Sequence, residues 1–203
     1  MGVLDRILEI GIEGRGPFAG AAEIAAIARA EQGATEGAIS SVIDQHVRAG
    51  AVGGFVTSLG GFVTLPIAIP VNVAEFYVLA TRMVAAVADL RGYDLRSAEV
   101  RTAILLTLVG HNPNEVLHEA GIPVPASTGI VGPLLLNRLP KSALMVAHKA
   151  IGFRFLRSVS QRTLSRLGRL VPVVGGVLGA GMDGFLMRQI GKAAKRDFAV
   201  GWG

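Results

Sequence analysis

Apolar and polar positions follow helical spacing from the start of the chain. Val3, Leu4, Ile7, Leu8 and Gly11 form one stripe, and Asp5, Arg6 and Glu9 the other, the pattern of an amphipathic helix. Gly14, Gly16 and Pro17 end it. A second, alanine-rich helix is expected over 21–32, stopped by Gly33. A third is expected over about 35–49, with Ile39, Val42, Ile43 and Val47 facing inward. Thr35 is placed to cap that helix, and Glu36 to favour its positive end. Asn72, with Glu75 three residues on, reads as a capping box opening a helix that runs to Arg91 and stops at Gly92. Residues 94–112 pass from polar to apolar and predict a helix with buried later turns. Asn112, Pro113 and Glu115 start a short helix that ends at Gly121. Residues 134–170 read as a basic helical pair, and 170–198 as the last helix.

Between Arg48 and Glu75 lie 26 consecutive uncharged residues. Within them GGFVT occurs at 53–57 and again at 60–64. A spacing of seven is almost two helical turns, so both copies share a face. Gly50, Gly53/Gly54, Thr57, Gly60/Gly61 and Thr64 then make a ridge of small residues, over which another helix backbone can approach closely. Pro66 and Pro70 follow and interrupt the pattern. The run is long enough to cross a bilayer, at roughly twenty residues per crossing, and its interruptions fit a broken or re-entrant segment. The alternative is a buried core helix followed by a proline corner. Gly168, Gly175/Gly176, Gly179 and Asp183 form a second ridge. The expected fold is all-α: one compact helical bundle over 1–203, in which segments 50–66 and 168–184 pack against each other. The Gly- and Pro-rich stretch 121–133 is a candidate hinge.

Composition narrows the function classes. The chain is 51% apolar and 17% charged, with a mean hydropathy of +0.51, which excludes an intrinsically disordered chain. With no cysteine, disulfide scaffolds, thiolate zinc sites and a cysteine nucleophile are excluded. Aromatic residues, at 5%, are too few for single-strand stacking platforms. The net charge of +5 hides an asymmetry: residues 1–120 sum to −5 and residues 121–203 to +10, with no acid from Ala120 to Met182. Such a half lies against something anionic, or rests on the acidic half of the same molecule. Its clearest feature is a helix with a cationic face of Arg154, Arg157, Arg162, Arg166 and Arg169, backed by Ile151, Phe155, Leu156 and Val159. That face suits an anionic lipid surface. No helix-turn-helix or RNA-binding motif is present, which disfavours nucleic acid as a partner. The first twenty residues contain Asp5, Glu9 and Glu13 and lack a basic start followed by an apolar run. The expectation is therefore a protein of the cytoplasm or the cytoplasmic face of the membrane, not a secreted one.

Candidate chemistry is sparse. Glu75, Arg82 and Asp89 recur every seven residues and lie on nearly one line, either as a solvent-facing stripe or as an internal polar seam. Asp183 stands alone in an apolar, glycine-rich turn and needs a partner there; Arg82 and Arg188 are the candidates. Glu75, Arg82, Asp183 and Arg188 are thus candidates for a polar core or ion pair. Glu115 and His118, at i and i+3 with His111 just before, have the spacing of a weak metal pair. His46 and His148 are the remaining histidines. There is no P-loop and no nucleophile with an obvious base. No catalytic residue, metal or cofactor is assigned.

Three blocks together resemble the EcsC protein family: GGFVTSLGGFVTLPIAIP at 53–70, RMVAAVADLRGYD at 82–94 with the following Arg101, and LGRLVPVVGGVLGAGMDGFLMRQIGKAAKRDF at 167–198. They span most of the chain in the family's order; 121–150 carries none of these motifs. The resemblance implies a predominantly helical bacterial protein; the family's founding case accompanies an ABC-transporter operon with its biochemical role unassigned, so the resemblance brings no reaction and no catalytic residue. The leading expectation is a membrane-associated, non-enzymatic helical protein of the cytoplasmic face, accessory to transport or envelope processes. Its partner would be an anionic membrane surface or another protein. The alternative is a soluble oligomeric interaction subunit, a homo-oligomer included, with its apolar surface covered by partner chains. A metal- or carboxylate-dependent enzyme ranks below both.

Overall fold

A computed structural model describes residues 3–15, 19–59, 65–109, 149 and 172–198. Of the described residues 86% are helical and none forms a strand, so the chain is an all-α bundle. Its described helices are α1 (Val3–Glu13), α2 (Ala21–Gln32), α3 (Thr35–Leu59), α4 (Leu65–Leu90), α5 (Ala98–Val109) and α6 (Pro172–Asp197). The short helix expected at 112–121, the hinge at 121–133 and, apart from residue 149, the basic pair at 134–170 lie outside the described residues.

Glycine ends the early helices. Gly14, Gly33 and Gly92 all take positive φ, a conformation that costs other residues a Cβ clash. At Gly92 the Tyr93 N–H reaches back to the Ala88 carbonyl at 3.0 Å, the six-to-one bond of a Schellman cap. That cap delivers the Tyr93 ring edge-on to Phe198, with centroids 5.4 Å apart, and so ties the end of α4 to the end of α6.

Three helix starts differ from expectation. α3 begins at Thr35 itself, and the Ala34 carbonyl accepts the Ala38 N–H at 2.9 Å, so Ala34 holds the cap position assigned to Thr35. α3 also continues past Ala49 to Leu59. α4 begins at Leu65, seven residues before Asn72, so Asn72 and Glu75 stand within the helix and not at its start. Pro66 sits in the first turn, where an N–H would have no acceptor within the helix, so it opens the helix rather than breaking it. α5 begins at Ala98, not Asp94. Asp94 instead accepts the Arg96 N–H at 2.9 Å in a tight turn. Ser97 caps the helix, its Oγ 3.4 Å from the Val100 N–H and donating to Glu99 at 2.6 Å.

α4 is the central rod. Met83 to Ala88 are all fully buried, and α4 touches every other described helix. A helix apolar on all sides has to be surrounded in this way. Its alanines keep the rod thin, and Thr81 returns its hydroxyl hydrogen to the Tyr77 carbonyl at 2.7 Å, so the buried hydroxyl is satisfied within the helix. The inward positions expected on α3 are buried or half-buried: Ile39, Val42, Ile43 and Val47.

The most extensive helix pair is α3 with α6, the two glycine-rich elements. A Cβ built on Gly50 would fall 3.3 Å from Met187 Cε; one on Gly184 would fall 3.3 Å from Ala51 Cβ. One on Gly191 would fall 2.7 Å from Ile43 Cγ2. Residues 43, 50 and 51 thus face 191, 187 and 184 in turn, and the helices run antiparallel. Gly181, also in α6, has open space around it.

These two environments predict opposite signs within one helix. Gly181→Ala is expected to raise stability by about 0.5–1 kcal/mol through helix propensity. Gly191→Ala is expected to lower it by about 1 kcal/mol net, because the strain of overpacking exceeds the same propensity gain. Urea unfolding of the two variants beside the parent checks both.

Candidate functional site

The α3–α6 pair changes character along its length. At one end Glu36, in the first turn of α3, receives two cations. Arg91 at the end of α4 pairs with one carboxylate oxygen, and Lys195 in the last turn of α6 lies 3.3 Å from the other. Lys195 also donates to Ser40 Oγ at 3.2 Å. Three helix ends therefore meet on one carboxylate, which also stands at the favourable positive terminus of α3. Burial raises the Glu36 pKa, but Arg91 and Lys195 outweigh it and hold the carboxyl below its usual value. Two turns further along, Arg188 of α6 reaches Asp44 of α3 at 3.5 Å.

Polar groups are buried in the middle of the pair. Asp183 is 2% exposed, with its backbone carbonyl facing Gly50. His46, one turn before Gly50, is 3% exposed, and its Nδ1 lies 2.8 Å from the Val42 carbonyl. Burial pushes the His46 pKa down. The Val42 contact opposes this, and the positive charge of Arg82 on α4 adds to it. α3, α4 and α6 thus converge on a polar level that contains His46 and Asp183 within a mostly apolar bundle. A second such point lies where α5 meets the end of α6. Asp197 has a fully buried side chain, its oxygens 2.9 Å from Arg196 Nε and 3.1 Å from Thr107 Oγ1.

Beyond this level the charges stop. Arg48 is the last charged residue of α3 and is exposed; residues 49–59, 65–74 and 172–182 carry none. At the transition stand two large exposed apolar side chains, Val52 at 62% and Phe185 at 60%. Phe185 precedes Arg188 by three residues and Val52 follows Asp44 by eight, so helical spacing places both on the edge that carries the ion pairs. Asp44 and Arg48 also line an open groove of about 580 Å³ between α3 and α2, with Ile24, Ala28 and Glu31 of α2 opposite them.

The residues singled out in the sequence are distributed as follows. Glu75 is exposed, Arg82 is half-buried, Asp183 is buried at the α3–α6 crossing, and Arg188 is exposed with Asp44 as its ion-pair partner. Asp89 is half-buried and lies 3.9 Å from Arg29 of α2. Arg154, Arg157, Arg162, Arg166 and Arg169 lie outside the described residues, as do Glu115, His111, His118 and His148. Among the described residues no three His, Asp or Glu side chains are grouped to hold a metal ion. The sequence reading missed His46, Asp197 and the Glu36 junction. Only the charge of Glu36, beside two Lys/Arg-bearing helix ends, offered a signal.

No family model, curated protein or solved structure matches the chain. Among the described residues no helix is long and apolar enough to cross a membrane.

Two measurements probe this site. His46 has a folded pKa below its unfolded value of about 6.5, so the unfolded chain binds the proton more readily. Its contribution to stability is complete above that value and declines as the pH falls below it. The urea midpoint of the parent should drop over that range, and His46→Gln should flatten the drop. Glu36→Gln should lower the midpoint at low ionic strength, because the largely buried Arg91 loses its carboxylate. The deficit should shrink in high salt, since Glu36 is itself largely exposed.

Proposed function

We propose that this chain is a membrane-associated, non-enzymatic helical protein that binds the anionic cytoplasmic face of a bacterial membrane, accessory to transport or envelope processes. The observation that carries this is the graded α3–α6 pair: ion pairs close one end, and the other passes through exposed Val52 and Phe185 into helix segments without charge. The net +10 of residues 121–203 supplies long-range attraction to acidic headgroups. The resemblance of 53–70, 82–94 and 167–198 to the EcsC family agrees with an accessory role and with the absence of an assigned reaction. Anionic headgroups, with Arg154, Arg157, Arg162, Arg166 and Arg169 as their contacts, are the partner in this reading.

Co-sedimentation with vesicles tests it. The full chain should pellet with phosphatidylglycerol-containing vesicles far more than with pure phosphatidylcholine. High salt should weaken the binding without abolishing it, because the apolar part is insensitive to screening. Protein that stays in the supernatant with both vesicle types at low salt would reject the proposal.

A further inference from the structure

We propose that the charge-free end of the α3–α4–α6 group enters only the facing leaflet of the bilayer, with Val52 and Phe185 at the boundary between headgroups and acyl chains. The inference rests on the membrane reading above and specifies which surface enters and how deeply.

Helix direction is the first argument. α3 and α6 are antiparallel, from the sequence of contacts between Glu36–Lys195 and Ala51–Gly184. α4 is antiparallel to α3 as well, because Arg91 at its end pairs with Glu36 at the start of α3. The last turns of α3 and the first turns of α4 and α6 therefore lie at the same end of the bundle. Those are the stretches without charge: 49–59, 65–74 and 172–182.

Length is the second. Each stretch is ten or eleven residues of helix, about 15–17 Å at 1.5 Å per residue. The hydrocarbon core of a bilayer is about 30 Å thick. The charge-free end reaches about halfway, and no described helix is long and apolar enough to go further. Within α3 and α4 the backbone groups short of the terminal turns bond internally, as a lipid environment demands.

The third argument is what stands at the boundary. Val52 and Phe185 are more than half exposed, a costly arrangement for large apolar side chains only while they face water. Arg48 is exposed one turn before Val52, at the level where a guanidinium meets a phosphate. The +10 of residues 121–203 complements an anionic leaflet, whereas a second copy of the chain carries the same net charge of +5 and is repelled.

The chain has no cysteine, so single cysteines can be placed in the full-length protein and labelled with an environment-sensitive fluorophore. On binding to phosphatidylglycerol/phosphatidylcholine vesicles, labels at Val52→Cys and Phe185→Cys should become shielded from aqueous iodide. They should be quenched by nitroxides near the headgroup more than by nitroxides near the chain ends. A label at Ser40→Cys should stay open to iodide, and Thr57→Cys should stay closed to a thiol reagent trapped in the vesicle lumen. The double variant Val52→Asp/Phe185→Asp, changed only at exposed positions, should melt like the parent and bind vesicles about tenfold more weakly or worse.

Binding of the parent with labels at 52 and 185 still in water would overturn the insertion and leave the membrane reading standing. Luminal access to Thr57→Cys would overturn the single-leaflet depth. A dimer on light scattering that Val52→Asp/Phe185→Asp converts to monomer, with vesicle binding unchanged, would make a second copy the occupant and overturn the proposal. No binding of the parent to either vesicle type would overturn both readings.

Discussion

The bundle depends on how closely α3 and α6 approach. Gly191 leaves room for the branched Ile43 side chain, and Gly184 for Ala51. Glycine inside a helix costs roughly 0.5–1 kcal/mol relative to alanine, so three glycines on one interface are a standing penalty on α3 and α6. Dispersion offsets it: two backbones brought together gain many small contacts at once. The arrangement holds only if the register is correct, because a shift of one residue sets side chains against the opposing backbone. The ion pairs at Glu36 and Asp44 matter in this light. Exposed pairs stabilise little, but Glu36–Lys195 and Asp44–Arg188 match only in the register that the glycines permit.

α4 bears the complementary constraint. Where its neighbours enclose it fully its surface has to be small and apolar all round, and Met83 to Ala88 meets that need with three alanines between larger residues. Its end is held by the Gly92 cap, by Arg91 on Glu36 and by Arg29 reaching the Asp89 carbonyl at 3.4 Å. Polar fastening is thus concentrated at one end of the bundle. The other end of the same helices has no charged residue with which to fasten anything. A single choice of where charges fall along three helices accounts for both a locked end and an apolar one.

Much of this was legible where one residue type dictates the backbone. Gly33 and Gly92 end helices because only they accept positive φ cheaply, and α2 has the bounds expected of it. The apolar stripe of α3 was legible because 3.6-residue periodicity survives in any context. Helix starts were less so. Ala34, which has no side-chain acceptor, holds the cap position beside a threonine able to fill it, and Ser97 prevails over Asp94. Asn72 and Glu75 form a capping signature inside an uninterrupted helix, since local preferences of about 1 kcal/mol yield to the packing of a whole rod. The buried His46 and Asp197 had no sequence signal, because neither residue type reveals which neighbours will enclose it.

The uncharged run after Arg48 shows why linear hydropathy and folded reach differ. Counted along the chain, its 26 residues suffice to cross a bilayer as one straight helix. In the structure 49–59 belong to α3 and 65–74 to α4, whose opposite directions follow from the Arg91–Glu36 pair. Two antiparallel halves side by side have twice the width and half the reach. The proline at position 66 contributes by starting α4 where a straight rod would have continued. The beginning of α6 lies alongside through the glycine register, so a third charge-free segment ends at the same level. The depth to which this end can enter an apolar phase is thus set less by how many apolar residues the chain contains than by where Arg48, Glu75 and Asp183 interrupt them.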